Sequence, residues 1–77
     1  MDLLQAISMI SRIRVIPNLP DIRIIDVGGA GSILALKKTL ISEDAFLLLK
    51  KFTEDQRLSI AEFNGHYLIS SGEIVPK

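Results

Sequence analysis

The stretch that decides the fold is IRIIDVGGAGSILALKK, residues 22–38. An apolar run ends in an acid, passes through three glycines within four residues, and resumes as a second apolar run. Isoleucine and valine favour β-strands, and glycine accepts the positive φ that tight turns require. We therefore predict a β-hairpin whose strands are residues 22–27 and Ser32–Lys37, joined by the glycine-rich turn 28–31.

A second hairpin follows in RLSIAEFNGHYLISS, residues 57–71. The pair Asn64-Gly65 lies between alternating apolar runs, which is the strongest short-range signal for a two-residue type I′ turn. Alternation puts Leu58, Ile60, Tyr67 and Ile69 on one face beside Glu62, and puts Ala61, Phe63, His66 and Leu68 on the other. That second face carries few of the polar residues that a solvated sheet face would show. We also predict one short extra strand at residues 73–75.

Two amphipathic helices precede the two hairpins. Asp2 is placed to cap the first helix, which we expect to run for about 11–13 residues and to end near Arg14, before the prolines of VIPNLP. The apolar residues that recur at helical spacing on its predicted buried face are Leu3, Ala6, Ile7, Ile10 and Ile13.

The second helix is predicted in SEDAFLLLKKF, residues 42–52. Ser42 is the expected N-cap, with two acids in the first turn and two lysines in the last, as the helix dipole favours. At 100° per residue the predicted buried arc contains Ala45, Phe46, Leu48, Leu49 and Phe52. Leu47 lies outside this arc and points outward between Lys50 and Lys51.

These elements predict one small domain, residues 1–77, of the α+β class: helix, β-hairpin, helix, β-hairpin, with a mainly antiparallel sheet packed against two short helices. Hydrophobic residues make up 48% of the 77-residue chain, and the mean hydropathy is +0.37. A chain this short forms a small core that supplies only about 3–5 kcal/mol. Two helices cover one face of a four-stranded sheet, so the apolar second face predicts a homo-oligomer or a protein partner.

The composition argues against several classes of protein. Without cysteine and with one histidine, we expect no disulfide, metal site or other cofactor. Zero net charge and 5% aromatic residues argue against a nucleic-acid partner. Weak nucleic-acid binding stays an alternative, through the arginines and the lysines Lys37, Lys38, Lys50 and Lys51. No apolar run is long enough to cross a bilayer, and the first residues lack the basic region of a signal peptide. We therefore expect no membrane association and a cytoplasmic location.

Part of the opening stretch, IIDVGGAGS (residues 24–32), resembles two glycine-rich motifs. Asp26 and Gly28 are similar to the first motif of S-adenosylmethionine-dependent methyltransferases. The whole segment is similar to the phosphate-binding hairpin of actin-like ATPases and sugar kinases, which is also strand–turn–strand. This second resemblance implies a ligand site in which Gly28, Gly29 and Gly31 offer N–H groups to a phosphate and Asp26 holds a metal-bound water.

Both resemblances cover fewer than twenty residues, and both families build the rest of their sites from much longer chains. We therefore interpret the turn as structural, with Asp26 accepting hydrogen bonds from the turn's own N–H groups. Phosphate or nucleotide binding at the turn is the alternative.

The function that we expect is a small, non-enzymatic protein-interaction module that self-associates. The predicted interface residues are Leu47, Ala61, Phe63 and Leu68. The order of the elements is similar to that of β-grasp domains and, with the leading helix, to the start of roadblock-type dimerisation domains. Both resemblances imply binding modules rather than enzymes.

Overall fold

A computed structural model describes residues 1–28 and 31–71. Within these residues the elements are α1 (Leu3–Ile13), β1 (Arg23–Asp26), β2 (Ser32–Lys37), a short 3₁₀ helix (Lys38–Leu40), α2 (Glu43–Asp55), β3 (Ser59–Phe63) and β4 (His66–Ser70). The predicted α+β fold, with its order of helix, hairpin, helix, hairpin, is confirmed. The extra strand predicted at residues 73–75 lies outside the described residues.

The four strands form one antiparallel sheet in the order β1-β2-β4-β3. Each hairpin pairs its own two strands, and the hairpins join where β2 pairs with β4, with Leu34 opposite Ile69. In the second hairpin Asn64 and Gly65 have φ values of +54° and +78°, which confirms the type I′ turn. The two strands at the centre of the sheet, β2 and β4, are also the most buried of the four.

Helix α1 begins and ends where the sequence predicts. The Asp2 carboxylate accepts from the Gln5 N–H at 2.8 Å, and the Gln5 side chain accepts from the Asp2 N–H at 3.1 Å. This reciprocal capping box satisfies two N–H groups that the helix itself leaves unbonded. Arg14 is the C-cap.

The buried face of α1 differs from the predicted one. Ala6 and Ile13 are fully buried, and Met9 and Ile10 pack beside them. Leu3 and Ile7, predicted to be buried, are 57% and 50% exposed. A helix lying on one side of a sheet buries only part of its circumference, and Leu3 and Ile7 lie at the flank of the buried part.

Helix α2 begins as predicted, with the Ser42 hydroxyl accepting from the Ala45 N–H at 3.2 Å. It continues to Asp55, so acids rather than the predicted lysines occupy its last turn. Ala45, Leu49 and Thr53 form its fully buried stripe. Leu48, predicted to be buried, is exposed, because contact with the sheet favours the i, i+4, i+8 stripe that ends at Thr53.

The chain leaves α2 through a left-handed residue that is not glycine. Arg57 has φ +56°, its N–H donates to the Glu54 carbonyl at 3.1 Å, and the Leu58 N–H donates to the Thr53 carbonyl at 2.8 Å. This pair of bonds is a Schellman motif, whose left-handed position is normally glycine. Arginine at this position is strained by its Cβ.

Replacing Arg57 by glycine is therefore expected to stabilise the fold by about 0.5–1 kcal/mol, because the relief of strain exceeds the entropy that glycine adds to the unfolded chain. Urea unfolding followed by circular dichroism measures the change. Arg14→Gly is the matched control, since Arg14 caps α1 at φ −64°, where glycine gains nothing and should destabilise. Equal effects of the two substitutions would contradict the assignment of strain to Arg57.

Both helices pack on the same face of the sheet. The buried cluster joins Leu34, Leu36 and Ile69 of the strands to Ala6 and Ile13 of α1, Leu49 of α2, and Met1 and Ile16. The rings of Phe46 and Tyr67 stack between α2 and β4 with centroids 4.6 Å apart. The Arg12 guanidinium donates to the Gln56 side-chain carbonyl at 3.0 Å and links the ends of the two helices. Neither α1 nor α2 lies over the opposite face of the sheet, where Pro20 and Leu40 border the buried Ala35.

Candidate functional site

The side of the sheet opposite α1 and α2, here called the open face, consists of the strand residues that alternate with the core residues. The registers of the three strand pairs give its members as Arg23, Ile25, Ile33, Ala35, Lys37, Ser59, Ala61, Phe63, His66, Leu68 and Ser70. One row runs straight across all four strands, with Arg23 opposite Ala35, Ala35 opposite Leu68, and Leu68 opposite Ala61.

The apolar residues of the open face differ in exposure. Phe63 is 55% exposed and Ile25 is also exposed, and both lie on edge strands, whereas Ile33, Ala61 and Leu68 are half-buried. Together with neighbouring residues, Ile25, Ile33, Phe63 and Leu68 line a shallow depression of about 470 Å³. A sheet face that is solvated in the working protein normally alternates to polar side chains. The open face is mixed: six of its eleven residues are apolar, and the other five are Arg23, Lys37, Ser59, His66 and Ser70.

The predicted interface residues do not form one surface. Ala61, Phe63 and Leu68 lie together on the open face, as the alternation predicts. Leu47 is exposed on α2, which packs on the other side of the sheet. The structure therefore groups three of the four residues and separates the fourth.

A second exposed apolar group lies on α1 and escaped the sequence prediction. Leu3, Leu4 and Ile7 are all exposed on its first two turns. The signal was present in the sequence, because Leu4 adds an apolar residue outside the predicted arc. The apolar residues of α1 thus extend over a wider arc than one sheet contact buries.

The described end of the glycine-rich turn is stabilised by its own hydrogen bonds. The Gly28 N–H donates to the Asp26 carboxylate at 2.9 Å, which is the Asx-type bond expected for a structural turn. Gly28 and Gly31 have φ values of +68° and +83°, where glycine is favoured. Gly29 lies outside the described residues.

The described amides of this turn already donate within the chain. The Val27 N–H donates to the Gly31 carbonyl at 2.8 Å, the Gly31 N–H to the Gly28 carbonyl at 2.9 Å, and the Ser32 N–H to the Met1 carbonyl at 2.6 Å. A phosphate bound here would compete with these internal acceptors, whereas a phosphate-binding nest presents amides that point at the ligand.

The lysines and arginines divide between the two sides of the sheet. Lys37 and Arg23 lie on the open face, whereas Lys50 and Lys51 lie on α2, on the other side. Arg12 donates to Gln56. The basic residues considered for nucleic-acid binding therefore do not converge on one surface.

Lys38 and Glu62 form the one ion pair found within the described residues. The hydrogen bond from the Lys38 ammonium to the Glu62 carboxylate raises the pKa of Lys38 above its ordinary value. Because a raised lysine pKa favours the charged form, this pair persists through the neutral range and contributes no switch there. No ion pair involves Arg23 or Lys37 within residues 1–28 and 31–71.

The described residues also bear on metal binding and on membrane insertion. No group of three metal-ligating side chains occurs among them, and the His66 Nδ1 atom lies 3.1 Å from the Asn64 carbonyl oxygen in its own hairpin. No helix in the described part of the chain is long and apolar enough to span a membrane.

Comparison with known proteins finds no relative of this chain. No family model, curated protein or solved structure matches this chain.

Proposed function

We propose that this chain is a small, non-enzymatic interaction module that self-associates through the open face of its sheet. The observation that carries the proposal is the apolar part of that face, in which Phe63 and Ile25 are exposed and Ile33 and Leu68 are half-buried. Exposed apolar surface favours association, because contact with a partner removes it from water.

We propose a second copy as the occupant, because the open face of one copy can pack on the same face of another about a two-fold axis. Two such sheets pack face to face about 10 Å apart, with interdigitating side chains.

The charges on the open face permit this packing. Arg23 and Lys37 lie near one corner, while the uncharged half of the face contains the pair Ile25 and Ile33 and the pair Ser59 and Ser70. A two-fold axis through the uncharged half keeps the cations of the two copies apart. Such an interface is isologous, with the same patch contributed by each copy.

The test compares two leucine substitutions in sedimentation velocity over a wide concentration range. Leu68→Lys on the open face is expected to weaken the dimer by about 30-fold or more, the loss typical of a central apolar residue. Leu47→Lys is the matched control, because Leu47 is exposed on α2, and it should leave the dimer intact. Circular dichroism verifies that both variants stay folded. A monomeric wild-type chain, or dissociation by Leu47→Lys alone, would overturn the proposal.

The alternative of phosphate binding at the glycine-rich turn gains no comparable support, because the described amides already have acceptors. The cytoplasmic location stays a prediction.

A further inference from the structure

One corner of the open face brings three nitrogen-bearing side chains together. Arg23 is opposite Ala35, Lys37 follows Ala35 by two residues on the same face, and His66 is opposite Lys37. Diagonal neighbours in an antiparallel pair lie about 7–8 Å apart. Arg23 and Lys37 are therefore near neighbours of like charge on one surface, with His66 beside them.

No carboxylate within the described residues forms an ion pair with either cation. Two unpaired cations on adjacent strands repel each other, and an anion between them would remove that repulsion and interact with both. The arginine guanidinium adds a planar fork of donors that matches a carboxylate or a phosphate, and the lysine adds a mobile ammonium.

The three side chains border a depression with a small floor residue. Ala35 is 3% exposed, and larger residues around it, including Pro20 and Leu40, enclose about 360 Å³. Asp21 also lines this depression and makes no ion pair with Arg23 or Lys37 in the described part of the chain. The depression adjoins the apolar one of about 470 Å³, with which it shares Arg23, Ala35 and His66.

We infer that this corner binds a small organic anion, with its carboxylate or phosphate head between Arg23 and Lys37 and its apolar body over Ala35 and Leu68. The two adjoining depressions together fall in the size range of small-molecule sites, which combine a mostly apolar lining with a few polar groups. The inference goes beyond self-association and does not depend on it, because each copy contains the whole corner.

The experiment titrates the ¹⁵N-labelled chain with four probes, which are hexanoate, hexyl phosphate, hexanol and acetate. Hexanoate or hexyl phosphate should shift the amides of Ala35, Lys37 and His66, and the stronger of the two identifies the preferred head group. Hexanol lacks the negative charge and acetate lacks the apolar chain, whereas hexanoate has both. Each of these two probes should therefore bind at least about tenfold more weakly than hexanoate.

Two variants distinguish specific binding at this corner from non-specific attraction of the anion to any surface cation. The double variant Arg23→Gln/Lys37→Gln should weaken hexanoate binding by at least about tenfold, the loss expected when charge-assisted hydrogen bonds are removed. Lys50→Gln, an exposed lysine on α2, should leave binding unchanged. If the double variant binds hexanoate as the wild type does, or if hexanol binds equally well, the inference is wrong.

A dimer that covers the open face could hide the corner, so the titration is repeated in an Ala61→Lys background. Ala61 lies at the far edge of the sheet, three strands from Arg23, and a lysine there breaks the apolar contact between copies. Absence of binding in both backgrounds overturns the inference. Sedimentation without ligand reports self-association separately, so the two proposals fail independently.

Discussion

Replacing Leu49 by alanine is expected to destabilise the fold by about 2–5 kcal/mol, the range for removing a fully buried leucine. Leu49 is 0% exposed and lies in the buried cluster with Ile13 of α1 and Leu34 of β2. It is thus the α2 residue of that cluster, which joins both helices to the sheet. A core of this size typically supplies only about 3–5 kcal/mol, so a large share of the variant should be unfolded in buffer at 25 °C.

The control for this prediction lies two residues earlier on the same helix. Leu47 is 58% exposed, and Leu47→Ala should change the free energy of unfolding by less than about 0.5 kcal/mol. Urea unfolding of the two variants at one matched protein concentration compares the same chemical change at a buried and an exposed position. Matched concentrations matter because self-association adds to apparent stability. Similar losses for both variants would mean that α2 does not pack through the Ala45–Leu49–Thr53 stripe.

The features that sequence predicted well are those encoded by a few neighbouring residues. The Asp2 and Ser42 caps, the Asn64-Gly65 turn and the bounds of β2 each depend on chemistry within one turn or one strand. The faces of the second hairpin follow from a period of two, which allows no intermediate orientation. For the same reason Ala61, Phe63 and Leu68 were correctly placed together.

The buried faces of the helices were predicted less well because they depend on tertiary placement. Apolar residues occur over a wide arc of α1, and only the position of the sheet selects Ala6 and Ile13 over Leu3 and Ile7. In α2 the same uncertainty explains why Leu48 is predicted to be buried but is exposed. Helical periodicity identifies an amphipathic helix, but it does not fix the rotation of a helix whose apolar arc is wider than its contact.

The cationic corner could not be found from the sequence because it is assembled by two long-range registers. Arg23 and Lys37 are brought together by the β1–β2 pairing, and His66 is added by the β2–β4 pairing between the two hairpins. The sequence signals that predict each hairpin do not predict which strands pair between the two hairpins. The packing of Met1 beside the glycine-rich turn is equally non-local, with 31 residues separating Met1 from its partner Ser32.

That contact between Met1 and the turn makes Gly31 the most sensitive glycine among those described. A Cβ added at Gly31 would lie 2.5 Å from the Met1 carbonyl oxygen, and the backbone there has φ +83°. The oxygen cannot move freely, because it accepts from the Ser32 N–H at 2.6 Å and because the Met1 side chain is buried in the core. Gly31→Ala is expected to lower the free energy of unfolding by about 2–4 kcal/mol, from left-handed strain plus the broken hydrogen bond.

Gly65→Ala separates the strain from the steric clash. Gly65 has φ +78°, and a Cβ there meets nothing within 4 Å, so its substitution should lose only the strain of about 1–2 kcal/mol. Urea unfolding gives the difference between the two variants, and hydrogen exchange locates it, because the Ser32 amide should exchange faster in Gly31→Ala alone. Equal losses, with the Ser32 amide still protected, would show that Met1 does not pack against the turn.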